Sequence, residues 1–172
     1  MVVSLKSAGI TGVDGYIVEV ETDILKSVPS FDIVGLADTA VKESKERVRS
    51  ALMNNHIELP SARITVNLAP ANMKKEGVIY DLPIALAIAA RMNKVKSIEF
   101  YDSLFIGELS LSGDIRKVSG VLPCVLCAKE KGVKKVFVPF ENAREAAVVE
   151  GIDIVDRIAN VLKFTPASPC HR

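Results

Sequence analysis

Tryptophan is absent from the chain, and aromatic residues make up only 5% of it. The core must therefore be built from valine, isoleucine, leucine and alanine. Charge of one sign is also missing. Lysine and arginine number 22 against 21 aspartates and glutamates, a formal net charge of +1. Any nucleic-acid contact must then come from local clusters of cations, because no global field exists to supply it. No apolar run approaches the ~20 residues of a membrane span. The opening "MVVSLKSAGITG" lacks the charged-then-apolar layout of a signal peptide. Cysteine is scarce and odd in number, three in all. That fits a reducing, cytoplasmic setting better than a disulfide scaffold. The chain contains no G-x-x-x-x-G-K-[ST] and no G-x-G-x-x-G after a strand. No ATP site is expected inside it on that ground, since phosphate binding draws on a glycine-rich run of free backbone N–H groups.

What is present is globular material, 49% apolar and 25% charged over 172 residues, enough for one domain with a sizeable core. β-Branched residues at Val2–Ile10 and Gly15–Glu21 flank the turn residues Thr11–Gly15 and predict a hairpin. "SFDIVGL" (30–36) is a third strand. Asp38 or Thr39 caps a helix that ends near Asn54-Asn55, with Val41, Val48, Ala51 and Leu52 as its buried stripe. Lys42, Lys45, Arg47 and Arg49 face outward or flank that stripe, with Glu43 four residues before Arg47. Ile64, Val66 and Leu68 alternate along a strand over 62–70. Asp81 is expected to cap a helix over 82–92 that is apolar nearly all round and so central. Two short strands follow about Ser112-Gly113-Asp114, then a helix capped by Ser119 and ended by Gly132. A strand "KKVFVP", a helix "ENAREAAVVEG", a strand "IDIVD" and a helix "RIANVLKF" complete the order. Residues 1–164 are thus expected to form the domain. Residues 165–172, "TPASPCHR", are expected to be a linker or tail.

Few residues offer chemistry. Cys124 and Cys127 form a C-x-x-C that Cys170 and His171 could complete as a zinc set. The pair lies in an apolar helical stretch, so packed core thiols are the expected state and no metal is expected. His56, at a helix end, reads as a surface residue. Lys42, Lys45 and Arg49, with Lys74 and Lys75 on the loop before Gly77, are the candidate nucleic-acid contacts. A solvated face is the ordinary state of such cations, and phosphate contact or a subunit interface is the alternative. The stretch "KKEGVIYDLPIALAI" (74–88) runs a charged loop into the mouth of the apolar helix, a place where catalytic groups are often delivered.

The segments "SFDIVGLADTAVKESKERVRSAL", "ITVNLAPANMKKEG", "YDLPIALAI" and "GELSLSGDIRKVSGVLP" together resemble the N-terminal domain of the magnesium-chelatase-like AAA+ ATPases, the competence protein ComM/YifB group. The resemblance implies an α+β (mixed α/β) fold like the Lon protease proteolytic domain, of the ribosomal-small-subunit-protein second-domain type. Lon-type enzymes place a nucleophilic serine in a Gly-Pro-Ser-Ala-Gly run and a lysine in a Gly-Gly-Leu-Lys run. By this comparison the serine position falls at about Tyr80, with one extra residue before the helix, and the lysine position at Leu122. A phenol and an alkyl chain do not make a Ser–Lys pair, so the frame is expected to be vacant and the chain not an enzyme. Glu108 is expected to be structural beside it.

The resemblance further implies a parent protein with its own AAA+ module, of which this chain is expected to be a fragment. ATP and magnesium would belong to that module and no cofactor to this chain. The parent would be a cytoplasmic homo-hexamer acting on DNA branches in recombination during natural transformation, with no membrane partner. Its N-terminal domain would serve assembly, DNA engagement or both. A Lon-type peptidase with relocated groups among Ser110, Ser112 and Lys117 is the alternative. A small-molecule kinase of related fold lacks the phosphate loop it would need.

Overall fold

The computed structural model describes residues 1–95 and 100–157. A two-residue turn, with Gly12 at φ +63°, joins β1 (Val3–Thr11) to β2 (Asp14–Leu25) in register from Val3↔Thr22 to Thr11↔Asp14. On the far flank of β2 lie β4 (Arg63–Ala69), antiparallel to it, and β3 (Ser30–Val34), parallel to β4. On the far flank of β1, three short strands run parallel: β5 (Ser103–Phe105), β8 (Lys135–Phe137) and β9 (Asp153–Val155). The sheet order is β3-β4-β2-β1-β5-β8-β9, and β2 alone of these seven runs against the rest. A separate hairpin, β6 (Glu108–Leu109) with β7 (Ile115–Arg116), leaves the main sheet. The architecture is mixed α/β, as expected.

Side-chain alternation decides which helix covers which face. Val18 and Val20 are fully buried on the side that carries α2 (Asp81–Arg91). Every residue of α2 from Asp81 to Ala90 is buried, because sheet and α1 (Thr39–Asn54) enclose it. The opposite face of the hairpin meets α3 (Val121–Glu130) at Gly15. A Cβ there would lie 2.5 Å from the Pro123 carbonyl oxygen and 2.9 Å from the Cys127 Cβ, so only glycine admits the helix this close.

Helix α1 begins where the sequence places it: the Asp38 side chain accepts from the Val41 N–H at 2.7 Å. The other two expected caps are corrected. Tyr80 is the N-cap of α2 and makes no side-chain cap bond, while Asp81 lies inside the first turn. Gly120, at φ +78°, takes the N-cap position of α3 in place of Ser119. Its Leu122 N–H is accepted by Glu145 Oε1 at 3.2 Å. The helix expected over "ENAREAAVVEG" shrinks to a 3-10 turn, Phe140–Asn142, and the four-residue α4 (Ala143–Ala146). The expected last helix over "RIANVLKF", the tail and the Cys170-His171 pair fall beyond Arg157, outside the described residues. Among the described residues, no helix is long and apolar enough to cross a membrane.

Candidate functional site

The two runs singled out in the sequence do meet. A cleft of about 490 Å³ is lined by Glu76–Tyr80, by Val118 and Ser119, and by the β1–β2 hairpin through Gly9, Ile10 and Tyr16. One wall precedes α2 and another precedes α3, so the cleft opens where both helices start.

Its chemistry is that of a filled frame. The run Gly77–Asp81 has the same length as Gly-Pro-Ser-Ala-Gly, so the loop carries no extra residue. By the same resemblance the serine position falls at Ile79 or at its neighbour Tyr80. Ile79 offers no nucleophile, and its carbonyl accepts from the Gly107 N–H at 3.0 Å. The donors at the α2 N-terminus are spent as well. Asp81 N–H reaches the Val78 carbonyl at 3.3 Å, and Leu82 N–H reaches the Gly107 carbonyl at 3.0 Å. An oxyanion would need donors left free for it. At the lysine position, Leu122 packs its side chain against the core.

Two phenols close the floor of the cleft. Tyr80 is 1% exposed, and its hydroxyl donates to that of Tyr16. Tyr16 in turn donates to the Lys74 carbonyl at 3.0 Å. Gly9 makes room for the pair, since a Cβ there would lie 2.6 Å from both hydroxyl oxygens. Burial first, then the neighbouring Tyr16, pushes the Tyr80 pKa well above the ordinary phenol value. Burial likewise raises that of Tyr16, partly offset by the bond it accepts from Tyr80. Neither phenol is set up as a base near neutral pH.

The loop before the cleft corrects a second expectation. Lys75 was expected to be free on an exposed loop beside Lys74. Its side chain is instead fully buried, and its ammonium donates to the Gly35 carbonyl at 2.8 Å and to the Pro70 carbonyl. Burial lowers its pKa. The Lys75 backbone also pairs with the segment before α1, giving to Leu36 O and receiving from Asp38 N, both at 3.0 Å. A phosphate outside the fold does not reach this ammonium. Lys74 is exposed and pairs with Glu76 at 3.2 Å. Lys42 and Arg49 are exposed and Lys45 is half-buried. The Arg49 guanidinium sits 6.0 Å from the centre of the Phe31 ring.

Asp81 holds the frame from behind. Its buried carboxylate receives Arg47 Nε at 2.6 Å and Nη2 at 3.1 Å, and the Leu109 N–H at 3.1 Å. This pair ties α1, α2 and β6 together and replaces the Glu43–Arg47 contact expected along α1. The Asp81 bond raises the Arg47 pKa above its usual value. Glu108 is half-buried and adds to the negative field on Arg47. On the other wall, Asn142 mimics a strand neighbour: Nδ2 donates to the Val118 carbonyl at 2.8 Å, and Oδ1 accepts the Val118 N–H at 3.0 Å. Sequence reasoning missed Asn142, Glu145 and the inward turn of Lys75, because all three act on backbone groups distant in the chain.

Ser110 and Ser112 lie away from the cleft. They bond to each other at 3.0 Å and to Asp114 in the β6–β7 turn, which Asn54 and Asn55 anchor through the Leu111 and Ser112 carbonyls. His56 is exposed just past α1, at φ +62°. Cys124 and Cys127 are buried thiols, and burial pushes Cys124 up to about 12.

Residues 20–142 match the family model described as subunit ChlI of Mg-chelatase. The chain belongs to this Mg-chelatase ChlI-like family. It is 44% identical over 148 residues to an uncharacterised protein of Mycobacterium tuberculosis, covering 86% of this chain and 29% of that protein. It is 42% identical over 138 residues to the competence protein ComM of Haemophilus influenzae, covering 80% and 27%. Identity to YifB of Escherichia coli is 39% over 155 residues, covering 89% and 30%. Lon proteases match more distantly, that of Rhizobium meliloti at 28% over 165 residues, covering 92% and 20%. The ChlI-like chain thus spans about 30% of the length of such relatives.

Proposed function

We propose that this domain is a non-catalytic accessory domain of a larger Mg-chelatase-like AAA+ ATPase. In this reading it serves assembly of a homo-hexamer, engagement of DNA, or both, in the cytoplasm. The parent protein would act on DNA branches during recombination in natural transformation. ATP and magnesium would bind outside this chain. The similarity to a competence protein supports the setting. The observation that carries the non-catalytic reading is the filled cleft, with Ile79 or Tyr80 at the serine position, Leu122 at the lysine position and Tyr80 bonded to Tyr16.

The distant similarity to Lon proteases favours one rival, a peptidase with relocated groups. Against it, Ser110 and Ser112 are held in the β6–β7 turn, away from the cleft. Casein and short-peptide hydrolysis by the purified chain tests the two readings. No turnover above buffer is expected. Turnover that survives repurification and is lost in Ser110→Ala or Ser112→Ala would establish the peptidase.

A further inference from the structure

We propose that Lys129, Lys131, Lys134 and Lys135 form a nucleic-acid contact surface that grips the phosphate backbone. This deepens the DNA reading above and rests on it. Over residues 129–135 four lysines stand against Glu130 alone, a net charge of +3 in a chain whose total is +1. All four are exposed, and none enters an ion pair among the described residues. The cations on α1 are more diluted. Lys42, Lys45 and Arg49 alternate with Glu43 and Glu46, and Arg47 is committed to Asp81.

The backbone that carries the lysines is tied down. Lys131 N–H closes the end of α3 on the Cys127 carbonyl at 3.0 Å. The N–H groups of Lys134 and Lys135 both donate to the Asp102 carbonyl, at 2.9 and 3.2 Å. Lys129 of α3 and Lys134 of the loop before β8 border one shallow concavity of about 360 Å³, with Gly132 and Gly151 between them. Gly151, at φ +82°, leaves the space. A Cβ there would lie 3.4 Å from the Lys129 Cε and 3.6 Å from its Nζ. Glu150 and Asp153 border the β9 side, so the positive field is confined to the α3–β8 edge.

The chemistry of the edge selects the partner. A protein interface needs an apolar centre, and a membrane-surface site needs apolar side chains to insert. Val133 and Val136 are buried, and Leu126, one turn before Lys129, is a single exposed aliphatic on α3. Unpaired ammoniums on a rigid rim fit a repeating phosphate.

The test is anisotropy of labelled duplex and single-stranded oligonucleotides titrated with the 172-residue chain across a salt series. Each phosphate contact steepens log K against log salt by about 0.9 for duplex and 0.7 for single strands. Replacing all four lysines by alanine is expected to flatten the slope by about 2 to 4 units and to weaken low-salt binding at least tenfold. Lys42→Ala with Lys45→Ala and Arg49→Ala is expected to flatten the slope by less than the fourfold change. Lys134→Glu alone serves if the fourfold variant does not fold, and is expected to weaken binding to every sequence alike. Wild-type binding with an unchanged slope in the lysine variants overturns this proposal and leaves the DNA reading standing. An unchanged slope with a lowered melting temperature assigns the lysines to the C-terminal end of α3, where cations favour the helix dipole, and also overturns it. Wild-type chain that binds anionic vesicles and no oligonucleotide, or that binds neither, overturns both.

Discussion

Arg47 of α1 and Asp81 of α2 meet in a two-pronged ion pair, at 2.6 and 3.1 Å, with the carboxylate fully out of water. Removing one member leaves an uncompensated charge, which costs about 3–5 kcal/mol in buried pairs. Asp81→Ala is expected to lower unfolding stability by about that amount, read from the urea midpoint. The double change Arg47→Met with Asp81→Leu is expected to recover much of the loss, because well-packed apolar pairs substitute for buried ions. A double variant no more stable than the single one would show that the Leu109 N–H bond, not the ion pair, is the larger contribution.

Lys74 and Lys75 are adjacent and should behave oppositely. Lys75→Met strips two carbonyls of their ammonium donor and is expected to cost about 1–3 kcal/mol. Lys74→Ala is expected to stay within about 0.5 kcal/mol, as for other exposed sites. Chemical denaturation of the two variants side by side checks the contrast. Equal effects would place the Lys75 side chain in solvent.

Gly9 exists to admit two hydroxyls. Gly9→Ala puts a methyl 2.6 Å from both phenol oxygens, and is expected to cost about 1–3 kcal/mol by overpacking. Adding Tyr80→Phe removes one clashing atom and should recover part of that loss. A double-mutant cycle measures the coupling, and strict additivity would sink the contact.

Alkaline pH should expose the buried thiol. The Cys124 pKa is raised in the folded state from 9.0 to about 12. Between those values the unfolded chain releases a proton that the folded chain keeps. The thiol's contribution is therefore fully present below pH 9 and is lost as pH rises toward 12, at most about 1.4 kcal/mol per pH unit. Tyr80, also raised, pulls the same way above its ordinary value, and Lys75, lowered, pulls against it. Comparing the wild type with Cys124→Ala isolates the thiol: the variant's stability should fall less steeply between pH 9 and 11, measured by denaturant titration. Parallel curves would contradict the burial.

The sequence by itself determined the local pieces. Turn residues and β-branched runs set the β1–β2 hairpin. Alternating Ile64, Val66 and Leu68 set β4, and Asp38 set the start of α1. An all-apolar stretch could only be a central helix, and α2 is one. These signals have periods of 2 or 3.6 residues and lie within one element, so they can be read along the chain.

What only the tertiary structure decided is where polar side chains spend their bonds. Asp81 looked like a helix cap and Lys75 like a surface cation. Both are drawn inward by partners 34 and 40 residues away. Asn142 reaches Val118 across 24 residues, and Glu145 takes the α3 cap that Ser119 was expected to hold. A buried charge or amide must find a partner, and that partner is whichever group the packed sheet and helices bring within about 3 Å. Proximity of that kind is a property of the fold, and no spacing in the sequence encodes it.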